Sequence, residues 1–177
     1  MSRMYTQTPL NFRIIGFDPG YDRMGISVLD HKNGREFLIY SACFETNKKM
    51  GFADRLVEID GAVQSAIKTW EPKVAALETL FFSKNVKTAL KVAEVRGIII
   101  SGARGAGLSV VELSPAAVKI AVTGYGAATK SEIAKMIPKI FEINHEVKHD
   151  DEYDAIAVAY AGSMHYCLST KVNHLQK

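Results

Sequence analysis

Four carboxylates stand where an apolar run meets a loop or a helix start. Asp18 closes "FRIIGFD", Glu78 closes "KVAALE", and Asp151 and Asp154 open "DEYDAIAVAYAG". Asp151 and Asp154 are three apart at a helix start, so they share a face. Carboxylates that converge repel one another unless they are protonated or neutralised by a cation. A set of oxygen ligands suits Mg2+ or Mn2+. A pair of such ions can clamp the attacking and leaving oxygens of a phosphodiester while water displaces one of them. Each acid taken singly has a plain structural role open to it. Asp18 in Asp-Pro-Gly forms a turn, Glu78 ends a strand, and Asp150 or Asp151 caps a helix. The group as a set, drawn from three separated segments, is what points to chemistry.

The elements that must position these acids follow from hydropathy spacing. Residues 12–18 form a covered strand, 25–30 its hairpin partner, and 36–45 a third strand after the turn "HKNGR". From Phe52 to Trp70 the apolar residues fall on one helical face, and Pro72 ends the helix. A short apolar run at 73–78 predicts a strand covered on both sides, and 86–104 returns to helical spacing. A covered strand at 108–113 precedes Ser114-Pro115, a cap and first helical turn. "TGYGAAT" is a loop, Lys130–Phe141 a helix, and the last helix runs from about Asp150 to about Leu168. Antiparallel strands first and covered strands alternating with helices later predict a mixed α/β sheet with helices on both faces. If the first and fourth strands are parallel neighbours, Asp18 and Glu78 end on one edge.

Composition sets the frame. A chain of 177 residues, 47% hydrophobic and 23% charged, suits one globular domain with a sizeable core. That domain spans 1–177, with 1–11 as an N-terminal extension and 169–177 as a tail. A net charge of +3 does not by itself imply polyanion binding. Cys43 and Cys167 are too few for a disulfide framework, so a reducing, cytoplasmic setting fits. The start lacks the apolar core of a signal peptide, and "AIAVAYAG" is too short to span a bilayer.

Five blocks resemble the RuvC family of Holliday-junction resolvases, in the ribonuclease H-like superfamily. They are "GFDPGYDRMG", "ALETLFFSKN", "TALKVAEVRGI", "VTGYGAATK" and "DEYDA", in the family's order over roughly residues 13 to 165. The resemblance implies a five-stranded mixed sheet flanked by helices. It implies that Asp18, Glu78, Asp151 and Asp154 are the metal-binding catalytic acids, although Asp150 competes with Asp151 by one position. Phe81 matches an aromatic that stacks on bases at the junction centre, within a block that also carries Lys84 and Asn85; Lys119 and Lys130 match lysines facing DNA phosphates. It further implies a homodimer that uses Mg2+ to nick two opposed strands of a four-way junction, and work beside a RuvA–RuvB branch-migration motor. Thr79 stands where the family often has Gln.

Basic residues gather in two groups, Lys84, Lys87, Lys91 and Arg96, then Lys119, Lys130, Lys135 and Lys139. Most are expected to be solvated, with Lys84, Lys119 and Lys130 favoured by the resemblance. Tyr125, in the glycine loop, is a weaker stacking candidate. His149 is either a proton carrier beside the acids or a capping residue, with capping preferred, and His145 and His165 are expected bystanders. The helix at 86–104 is apolar on more than one face and is a candidate dimer interface. Asp22 is expected to be replaceable, and Gly20 to leave room for the scissile phosphate. Competing readings are a related nuclease acting on another branched or hybrid nucleic acid, an actin-like ATPase, and a non-catalytic junction-binding protein.

Overall fold

The computed structural model describes residues 10–80 and 86–175. Three strands come first: β1 (Phe12–Asp18), β2 (Arg23–Lys32) and β3 (Arg35–Glu45). They are followed by α1 (Phe52–Trp70), β4 (Val74–Glu78), α2 (Val86–Gly105), β5 (Ser109–Leu113), α3 (Pro115–Thr123), α4 (Lys130–Ile140) and α5 (Asp150–Leu175). The sheet order is β3-β2-β1-β4-β5, with β1–β2 and β2–β3 antiparallel and β1–β4 and β4–β5 parallel. This is the mixed five-stranded sheet with helices on both faces that the sequence predicts. Asn33 and Gly34 both take positive φ in the β2–β3 turn, the backbone a tight two-residue hairpin needs.

Strand alternation sorts the core into two layers. Phe12 and Ile14 of β1, Val74 and Ala76 of β4, and Val111 and Leu113 of β5 pack towards α3, α4 and α5. Ile15 and Phe17, Ala75 and Leu77, and Val110 pack towards α1 and α2. The same parity carries Asp18 and Glu78 to the α5 side. Phe17 pairs with Leu77, so the two acids leave their strands at one level on one edge.

Glycines let α5 lie directly on the strands. A Cβ at Gly16 would sit 2.6 Å from the Ala155 carbonyl oxygen, and one at Gly25 would sit 1.9 Å from that of Asp151. Ser27, paired with Gly16, is buried and donates to the Ala155 carbonyl at 2.8 Å. The helix is thereby pinned at the turn that carries its acids. It extends to Leu175 rather than to about Leu168, because neither Gly nor Pro follows Gly162 to stop it. The residues 169–175 expected as tail are therefore helical. Among the described residues no helix is long and apolar enough to cross a membrane.

Candidate active site

β1 and β4 each deliver one acid, and α5 delivers two. Asp154 and Asp151 both act electrostatically on Asp18, as does Glu78. Burial first, then the charge of Asp154, push the Asp18 carboxyl up to about 7, with Lys130 opposing. Glu78 is raised by burial and then by Asp154, with Lys130, Lys119 and Arg96 opposing. Asp154 is raised chiefly by burial, against its hydrogen bond from Lys130. Three carboxylates with raised proton affinity at one strand edge are a site in need of positive charge.

Two cations already attend the set. Lys130 Nζ donates to Asp154 Oδ2 at 2.6 Å. Its helix is fixed by a capping box in which Thr129 accepts from the Glu132 amide and Glu132 accepts from the Thr129 amide. Arg23, at the start of β2, places Nε 3.0 Å from Asp151 Oδ2. That oxygen is buried yet accepts no hydrogen bond. Asp151 is the inward acid of its pair: its side chain is 20% exposed against 63% for Asp150. With these partners in place, no three His, Cys, Asp or Glu side chains among the described residues stand close enough to hold an ion as they are. The donor set nevertheless fits a hard divalent cation. It is all oxygen, its acids are partly desolvated, and Asp151 Oδ2 lacks a hydrogen-bond partner.

The remaining candidates divide. Lys119 lies near enough to Glu78 to lower its proton affinity. Phe81, Lys84 and Asn85 lie outside the described residues. Tyr125 is exposed, and its amide donates to Thr123 Oγ1 at 3.1 Å. Gly124, in the same loop, takes φ +76° as the left-handed cap of α3 and ends that helix. Arg96 is not a surface cation. It is buried on α2 and paired with Glu112 of β5. Lys91 lies 4.8 Å over the Tyr21 ring.

Several expectations are corrected by contacts between distant segments. Asp22 stays outside the acid set but is not idle: it pairs with the buried guanidinium of Arg55. A Cβ at Gly20 would meet the Arg23 carbonyl oxygen, so the turn itself calls for glycine there. His145 is no bystander. Its Nε2 lies 2.6 Å from Oε1 of Glu152, a buried carboxylate that also accepts from Ser41 at 2.6 Å. His149 bridges Glu45 and Arg23 at 3.0 Å each, and its carbonyl accepts from the Glu152 amide in the first turn of α5. Arg23 and Glu152 were missed as supports. Glu152 had a readable signal, an acid in a first turn followed by an apolar helix face, but no pattern names Ser41 as its partner.

Comparison with known proteins adds an independent line. The family model described as Crossover junction endodeoxyribonuclease RuvC matches residues 14–162. A curated relative of that name from Caldicellulosiruptor saccharolyticus is 39% identical over 148 residues, 83% of this chain and 89% of the relative. One from Carboxydothermus hydrogenoformans is 39% identical over 150 residues, 85% of this chain and 94% of the relative. Among solved structures, Thermus thermophilus RuvC in complex with Holliday junction substrate aligns with a TM-score of 0.82 at 26% identity, covering 90% of this chain and 97% of that one. The yeast mitochondrial Holliday junction resolvase Ydc2 shares the fold, with a TM-score of 0.63 at 12% identity over 88% of this chain and 79% of its own.

Proposed function

This chain belongs to the RuvC family of crossover junction endodeoxyribonucleases, and from that premise we propose how its residues resolve Holliday junctions. It is a hydrolase of phosphodiester bonds that depends on a divalent metal, and its substrate is four-way junction DNA. Asp18, Glu78, Asp151 and Asp154 hold the metal. The observation that carries this assignment is the convergence of raised carboxylates at one strand edge, with Asp18 lifted to about 7. A cation held there would offset the burial, and with it the mutual repulsion, that raise them.

We assign two Mg2+ ions per site, with Mn2+ able to substitute; when bound, they supply charge stabilisation at the phosphate and an activated water. The protein supplies the rest. Asp18 and Glu78 are fixed by strand register, and Asp151 and Asp154 by the contact of α5 with Gly16 and Gly25. Lys130 and Lys119 neutralise the site before metal and DNA arrive and then face backbone phosphate. Phe81 stacks on unpaired bases at the junction centre, and Lys84 and Asn85 hold the strand beside it.

Paired symmetric nicks in opposed strands require two sites related by a two-fold, so the enzyme acts as a homodimer. The α2 helix supports this reading. It turns Val95, Ile99 and Ala103 into the core yet leaves Ile98 half-buried and Leu90 exposed. Work in the cytoplasm beside a RuvA–RuvB branch-migration complex completes the proposal.

The test is a set of isosteric variants, D18N, E78Q, D151N and D154N, with D150N as contrast. Each of the first four loses Mg2+-dependent nicking of a four-way junction while binding the junction. D150N keeps nicking. If D151N nicks and D150N does not, the third ligand is reassigned.

A further inference from the structure

The hairpin that ends β1 on Asp18 also carries a guanidinium to Asp151. Arg23 opens β2 and stands opposite Glu45 of β3 in the ladder. Its backbone carbonyl lies close against Gly20 of the Asp-Pro-Gly turn. Its side chain reaches α5 and the loop before it. Nη1 lies 3.0 Å from His149 Nδ1, Nη2 3.8 Å from Asp150 Oδ1, and Nε 3.0 Å from Asp151 Oδ2. A guanidinium only donates, so His149 Nδ1 accepts and carries no proton. The ring proton is then on Nε2, which donates to Glu45 Oε1 at 3.0 Å. Glu45, His149, Arg23 and Asp151 thus form one directed chain, from the end of the edge strand to an acid of the site.

The last link of that chain differs from the others. Asp151 Oδ2 is buried and 3.0 Å from Nε, yet it accepts no hydrogen bond, because the N–H is not aimed at it. The oxygen receives charge and keeps its lone pairs. Lys130, by contrast, donates to Asp154 Oδ2 at 2.6 Å. We propose that Arg23 is a positioning residue: it neutralises Asp151 and fixes its carboxylate while leaving Oδ2 free to ligate a divalent cation, and His149 and Glu45 act through it. The proposal rests on the reading of Asp151 as a metal ligand. Two effects of the arginine then oppose one another. Its charge repels a divalent cation beside Asp151. Its hold keeps the ligand in the geometry that the reaction needs. The Arg23 side chain is 37% exposed, so the repulsion is partly screened.

The test combines calorimetric titration of the full chain with Mn2+ in the absence of DNA, four-way junction binding in EDTA, and nicking at saturating Mg2+. R23Q binds Mn2+ at least about three-fold more tightly than wild type. It nevertheless nicks at least about ten-fold more slowly. General damage to the site would weaken both, so an unchanged or weaker Mn2+ affinity in folded R23Q overturns the proposal. Nicking at the wild-type rate overturns it too. Junction affinity stays within about three-fold; a larger loss makes Arg23 a phosphate contact and overturns the positioning role. H149A deletes the acceptor of Nη1. It nicks at least about three-fold more slowly than wild type, and it adds nothing in the R23Q background. Wild-type nicking by H149A overturns the proposal, and that arm stands whether or not R23Q folds. Additive losses in the double variant overturn the action of His149 through Arg23. D151N separates the two readings. Loss of Mn2+ affinity and of nicking upholds Asp151 as a ligand, and the R23Q results then judge Arg23 alone. Wild-type Mn2+ binding and nicking by D151N remove the ligand and overturn the proposal with it.

Discussion

Replacing Asp18 by Asn tests the electrostatics of the site apart from its catalysis. Asp18 has its carboxyl raised from 3.8 to about 7 by burial and by Asp154. The sign follows from linkage. Between those values the unfolded chain is ionised and the folded chain is protonated, so this group destabilises the metal-free fold progressively as pH rises from about 4 to about 7. Above 7 the loss levels off. At about 1.4 kcal/mol per pH unit, the ceiling is roughly 4 kcal/mol, and relaxation around the site lowers it. D18N removes the titration and keeps the shape. In EDTA, the variant is therefore about as stable as wild type near pH 4 and more stable by roughly 1–4 kcal/mol at pH 8. The assay is urea unfolding of both proteins at pH 4, 6 and 8. Adding a divalent cation at pH 8 stabilises wild type more than D18N, because the cation takes over the neutralising role. A stability difference that does not change between pH 4 and 8, or a D18N variant weaker than wild type at pH 8 in EDTA, refutes the reasoning.

Other substitutions probe the supports. D22A leaves the buried Arg55 without its carboxylate, although the Tyr21 carbonyl and Thr46 hydroxyl still accept from it. Because Asp22 is half exposed, the expected loss in urea unfolding is about 1–2 kcal/mol, with nicking retained. G25A drives a methyl into the Asp151 carbonyl, so the start of α5 must shift. Its stability falls by roughly 1–3 kcal/mol, and nicking of the folded variant falls at least about ten-fold. T129A removes the capping box that holds Lys130 in place, at a cost of about 1 kcal/mol read by thermal unfolding.

The fold was legible because its signals are local. Alternation marked the strands, helical spacing marked α1 and α2, Asn33-Gly34 marked the hairpin, and Ser114-Pro115 marked the start of α3. Ser114 does accept from the Ala117 amide. The acids were legible for a related reason: each stands where an apolar element ends or begins. Strand parity could have added that Asp18 and Glu78 share a face, since Ile14 and Asp18 have the same parity, as do Val74 and Glu78. What stayed hidden is long-range. Arg55 with Asp22, Ser41 with Glu152 and Arg23 with Asp151 join segments whose approach depends on the whole sheet. Gly16 and Gly25 read as turn or strand glycines until α5 is laid against them.

The central claim is that these carboxylates cut branched DNA at four-way junctions. The most direct measurement incubates the wild-type protein and D18N with matched four-way, three-way and linear DNAs and an RNA–DNA hybrid, in Mg2+, and maps the cuts on both strands. The account predicts paired, symmetric nicks in the four-way junction alone, and none from D18N. Comparable cutting of linear duplex or hybrid by wild type, or junction nicking by D18N, would contradict it.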